Sequence, residues 1–157
     1  MEKTGSFYQR AGLGKHTQPA SAGLLAWLRQ VGASEALLPA FGDSLREDVE
    51  EFPLVFLAES ELLRVNAPGT GGLCCGIAQG LLVVGASALS GDPVVIDLRD
   101  PAGAGGYLNH ETMWSAADLR GEIWRAAHSW EQLAVLIDQC KFPSNYHDAK
   151  QSGPPGT

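Results

Sequence analysis

Leu81-Leu-Val-Val-Gly-Ala-Ser-Ala-Leu-Ser-Gly-Asp-Pro-Val-Val-Ile-Asp-Leu-Arg99 decides the fold. Its two apolar runs, residues 81–85 and 94–98, are rich in branched side chains that suit a pleated, packed surface. Between them Gly91-Asp92-Pro93 forces the chain to change direction, so the stretch reads as a hairpin. Both runs are apolar on both faces, and such strands need cover on both. The hairpin is therefore expected in the middle of a sheet.

Upstream, residues 1–20 are polar and show no apolar period, which reads as an arm. Ser21 then caps a helix whose Leu24, Trp27, Leu28 and Val31 share one face, with Gly32 as its stop. Residues 34–38 are read as a short helical turn before Pro39. Residues 52–57 have strand composition, and 59–66 resemble a short helix carrying Leu62 and Leu63. Residues 67–72 form a flexible turn, and 73–77 are expected to pair with 81–85 as a neighbouring strand.

Downstream, Asp100-Pro-Ala-Gly-Ala-Gly-Gly106 reads as a loop too rich in glycine for regular structure, and 107–114 as an edge strand and turn. Residues 123–127 form a short strand. Ser129-Trp-Glu-Gln132 fits a capping box opening a last helix, with Trp130, Leu133, Ile137 and Cys140 on one side. Residues 141–157 read as a tail. Helix, several strands and a closing helix, without strand–helix alternation, predict a single α+β domain over 21–140: a mixed, mainly antiparallel sheet with helices packed on it.

The 157 residues suit one domain with a real core, and an apolar content of 45% argues for a globular chain. A net charge of −7 disfavours nucleic acid and anionic membranes as partners, because both repel an acidic surface, and makes a basic partner the natural complement. No apolar run is long enough to span a bilayer, and the first residues lack the apolar core of a signal peptide. Three cysteines, two of them adjacent (Cys74, Cys75), make no disulfide framework and fit a reduced, cytoplasmic setting.

A glycine-ended strand, then Gly-Asp-Pro-apolar-apolar-Ile-Asp-Leu, resembles the central hairpin of the SUKH superfamily. Tyr107-Leu-Asn-His-Glu-Thr-Met-Trp114 resembles that family's strand carrying a His–acid pair and then a Trp. Ile123-Trp-Arg-Ala-Ala-His-Ser-Trp-Glu-Gln-Leu133 resembles its entry into the last helix. The match covers roughly Phe52 to Ile137; the Asn-Gly pair usual before the family's sheet is missing here. The superfamily groups fungal cell-wall-synthesis regulators with bacterial immunity proteins. The resemblance implies a non-enzymatic binder that neutralises a toxin delivered by neighbouring cells, often one acting on nucleic acid. The alternative is a regulatory interaction module of the cell-wall-regulator type.

Other chemistry finds little support. Gly85-Ala-Ser-Ala-Leu89 imitates the start of a nucleophile elbow but lacks its second glycine, and a turn serine is the plainer reading of Ser87. Asp92 or Asp97 with His110 or His128 would be its partners. His16, His110, His128 and His147 have no metal-ligand spacing, so no metal and no cofactor are expected. Gly69-Thr-Gly-Gly72 lacks the strand and lysine of a phosphate cradle. What remains is acidic surface. Glu47, Asp48, Glu50 and Glu51 lie within a charge run from Asp43 to Glu51, and Asp92, Asp97 and Asp100 sit on or beside the hairpin. These seven are the expected partner-binding residues; a solvated face is the plain alternative for the charge run.

Overall fold

The computed structural model describes residues 17–43, 45–46, 49–51, 54–67, 74–113, 118–138 and 142–152. In chain order they form β1 (Thr17–Gln18), α1 (Ala22–Gln30), α2 (Leu38–Asp43), β2 (Leu45–Arg46), β3 (Val49–Glu51), β4 (Leu54–Phe56) and α3 (Glu59–Asn66). A 3₁₀ segment, Cys74–Gln79, leads into β5 (Leu81–Ser87), β6 (Pro93–Asp97) and β7 (Gly105–Leu108). A second 3₁₀ turn, Leu119–Glu122, precedes β8 (Ile123–Ala127), α4 (Trp130–Asp138) and α5 (Tyr146–Ser152).

β5 and β6 are the hairpin expected from the sequence, and they lie mid-sheet. The main sheet has six strands in the order β3-β4-β5-β6-β7-β8, with every neighbouring pair antiparallel. β1 and β2 form a separate two-stranded ribbon. The apolar alternation of the hairpin explains its cover. Leu82, Val84, Val94 and Ile96 belong to the main core with Leu24, Leu28, Phe41, Leu62, Trp130 and Leu133 from four helices. Leu81, Val83 and Val95 meet Leu108, Met113 and Leu119 in a second, smaller core on the opposite face. The fold is α+β, with helices laid on an antiparallel sheet.

Local chemistry fixes the joints. The Ser21 side chain accepts from Leu24 N to cap α1 (3.1 Å), and its own N–H and hydroxyl donate to Glu59 at the start of α3 (2.9 and 2.5 Å). Ser129 accepts from Gln132 N (2.9 Å), while Gln132 reaches back to the amide of His128, one residue earlier than an ordinary capping box. In β5, a Cβ on Gly85 would lie 2.4 Å from Val55 O, so only glycine allows β4 to approach there. Past the end of β4, the fully buried Asn66 takes the place of a strand. Its amide donates to Val83 O (2.9 Å) and accepts from Val83 N (2.8 Å), satisfying backbone groups that no described strand reaches on that side.

Four expectations are corrected. Residues 74–79 form a 3₁₀ helix instead of a strand over 73–77: Asn66, not a neighbouring strand, satisfies Val83 on that side of β5. Residues 38–43 form a helix, with Pro39 in its first turn, where a missing N–H costs nothing. The strand expected over 107–114 starts at Gly105 and runs between β6 and β8, so it is not an edge. Gly105 and Gly106 thus belong to regular structure, and a Cβ on Gly106 would stand 2.1 Å from Trp124 O at the bulge facing β8.

The fourth correction is the tail. Residues 142–152 dock on the domain and end in α5. Phe142 and Ala149 are buried, and Phe142 packs on Tyr107 with ring centroids 5.6 Å apart.

Candidate interaction surface

The expected partner-binding residues separate into two groups. Glu50 and Glu51 lie in β3, the strand at one edge of the main sheet, with Glu50 opposite Val55 and Glu51 opposite Leu54. Glu47 and Asp48 lie outside the described residues. Between Asp43 and Glu51 the sequence carries five acidic residues against Arg46 alone, more than half of the net charge of −7. No other described strand pairs with the outer side of β3.

The three hairpin aspartates, also among the expected partner-binding residues, make contacts within the fold. Asp92 is 2% exposed. Its Oδ1 accepts from His110 N (3.0 Å) and meets His110 Nδ1 at 2.7 Å, while Oδ2 accepts from Ser90 Oγ (2.6 Å) and Tyr146 N (3.0 Å). Burial pushes the Asp92 carboxyl up. The hydrogen bonds from the His110 amide, the Ser90 hydroxyl, the His110 ring and the Tyr146 amide outweigh that effect and hold it below the ordinary aspartate value. A carboxylate with four partners and almost no exposed surface ties the β5–β6 turn, the turn after β7 and the start of α5 together.

Asp97 is 4% exposed and forms a bidentate pair with Arg120 (3.0 and 2.5 Å), with Arg125 3.7 Å away. Gln79 completes the group, since its side chain accepts from Leu119 N (2.8 Å) and its carbonyl from Arg120 (2.9 Å). The Asp97 hydrogen bond is the largest influence holding the Arg120 guanidinium charged. Asp100 is half-buried and accepts from Ala102 N (2.9 Å) and Ala104 N (3.2 Å), folding the glycine-rich loop around its own carboxylate. The sequence hid the roles of Asp92 and Asp97 because their partners, His110, Arg120 and Tyr146, are 18, 23 and 54 positions from the aspartates they meet.

Ser87 is 3% exposed; its hydroxyl donates to Ser144 O (2.7 Å) and accepts from Leu89 N and Ser90 N (3.2 and 3.3 Å). Asp92 and His110 do pair, but Ser87 is committed to backbone groups, and the constellation is that of a turn. A cleft of about 220 Å³ beside α1 and α2 has Leu25, Leu38 and Pro39 in its wall; Arg29 at its rim is already paired with Glu35 (3.1 Å). Among the described residues, no three His, Cys, Asp or Glu side chains converge on a cation position. No described helix is long and apolar enough to cross a membrane.

The residues that sequence reasoning missed are those holding the segment after α4. Tyr107 Oη donates to Pro143 O (2.7 Å) and Trp124 Nε1 to Ala149 O (2.6 Å), joining Ser87 and Asp92 on the same segment. Burial is the main cause pushing the Tyr107 phenol far above its ordinary value, with the Asp92 and Asp148 charges adding to it, so it stays a donor. Comparison with family models, characterised proteins and solved structures returns no match for this chain.

Proposed function

We propose that the protein is an immunity protein: a cytoplasmic, non-enzymatic binder that occludes a basic protein toxin, one acting on nucleic acid. The observation that carries this reading is the gathering of negative charge in the run that includes the edge strand β3. A toxin that handles nucleic acid presents a basic cleft. An acidic edge steers onto it by long-range attraction, over a screening length of about 8–10 Å at physiological ionic strength. The resemblance of the central hairpin and the last helix entry to the SUKH superfamily supplies the reason to expect such a partner. Three cysteines without a disulfide pattern fit a cytoplasmic site of action.

With Asp92 and Asp97 buried and Asp100 half-buried, the proposal rests on the charge run, Glu50 and Glu51 of the edge strand among it. The test is the Glu50→Lys, Glu51→Lys double variant, bound to the toxin encoded beside its gene at two salt concentrations. The on-rate should fall about tenfold or more and lose much of its salt dependence. Unchanged affinity and salt slope would return these residues to the ordinary task of charges on edge strands, which is to deter pairing with other sheets.

A further inference from the structure

We propose that the cleft of about 220 Å³ beside α1 and α2 binds a small aromatic carboxylate. Its walls come from the two helices. Leu25 and Arg29 stand one turn apart on the same face of α1, and Leu38, Pro39 and Gly42 line the cleft from α2. Ala20 N donates to Gly42 O (2.6 Å), which ties the chain entering α1 to the last turn of α2 and fixes the spacing of the walls. Gly42 keeps the space open. A Cβ there would lie 3.2 Å from a Leu25 methyl, so a larger side chain at 42 presses into the wall. The volume exceeds the roughly 150 Å³ of an apolar cavity that accepts benzene and falls short of the roughly 300 Å³ at which pockets for drug-sized ligands begin. One ring fits.

The charge on the ligand follows from Arg29. Its guanidinium meets Glu35 through Nε alone, which donates to both carboxylate oxygens (3.2 and 3.1 Å). The two terminal amino groups have no hydrogen-bond partner among the described residues, and they are the pair that grips a carboxylate as a fork. Both side chains are more than half exposed (52% and 70%), so the ion pair is weak and leaves the guanidinium its attraction for a second carboxylate. A ring seated between Leu25 and Leu38 brings its carboxylate to those amino groups. Glu35 is then a like charge beside the ligand and lowers the affinity, which fixes the sign of one test. This inference goes beyond the acidic-edge reading and does not depend on it.

The experiment titrates the full chain with phenylacetate and follows the methyl resonances of Leu25 and Leu38 by NMR. These should shift saturably, at about millimolar concentration or below for so small a ligand. The neutral analogue 2-phenylethanol should bind at least fivefold more weakly. Arg29→Gln should weaken phenylacetate at least fivefold, and Glu35→Gln should tighten it at least twofold; both positions are exposed, so the melting temperature of each variant should match the parent's. Gly42→Leu, which fills the cleft, should abolish binding, and if that variant fails to fold the two exposed variants decide. Absence of a saturable shift at both leucines overturns the site. Equal binding of 2-phenylethanol, or unchanged affinity in Arg29→Gln, overturns the carboxylate assignment. Weaker binding in Glu35→Gln does so too, since it would make Glu35 a ligand-holding group.

Discussion

Asp92 shows how one side chain can be legible as to place and illegible as to role. Gly91-Asp92-Pro93 announces a turn, and the turn is there between β5 and β6. Nothing near it in sequence announces that the carboxylate is buried against His110 and Tyr146. Asp92→Asn should cost about 2–3 kcal/mol, because a donor then faces amides that require an acceptor. The pH dependence follows from the lowered carboxyl value. The folded group titrates below its unfolded counterpart, so its stabilisation is fully present above about pH 4 and is lost as the pH falls through the folded value. Urea unfolding followed from pH 6 to pH 3 should show this acid loss in the parent chain and a reduced loss in Asp92→Asn. Asn66 is a second such residue. Its removal in Asn66→Ala leaves the N–H and C=O of buried Val83 unpaired, and the expected cost is about 2–4 kcal/mol, read from the same unfolding curves.

At the scale of elements, local patterns read well where packing agrees with them. α1, α3, β8 and the hairpin strands lie where apolar spacing, Ser21 and the Gly-Asp-Pro turn set them. The opening of α4 is of this kind: Trp130, 2% exposed, meets Phe41 edge-on with centroids 4.9 Å apart. Trp130→Ala should lower stability by about 3–5 kcal/mol in denaturant unfolding, as large aromatic truncations in cores do. An unchanged unfolding midpoint would contradict this packing. The misread elements share a cause. The 73–77 run has strand composition, but strand status depends on a partner, and Asn66 satisfies Val83 there instead. Residues 142–152 carry few apolar side chains, so no period betrays a segment held through its main chain by residues such as Ser87, 57 positions away from Ser144.

At the scale of the whole molecule, the sequence yields the layered α+β plan because a hairpin apolar on both faces admits few arrangements. The charge balance of 18 acidic against 11 basic residues is equally visible, but its distribution is not, since burial decides which acids remain on the surface. Asp92 and Asp97 leave it; the run around β3 is what the proposed function keeps. The central claim is protection through that run. The most direct measurement is survival of cells that express the proposed cognate toxin, sought among the genes beside this one, together with either the parent chain or Glu50→Lys, Glu51→Lys produced at equal level with its melting temperature within a few degrees. The parent chain should restore growth and the double variant should lose most of that protection. Absence of protection by the parent chain, or equal protection by both, would contradict the account.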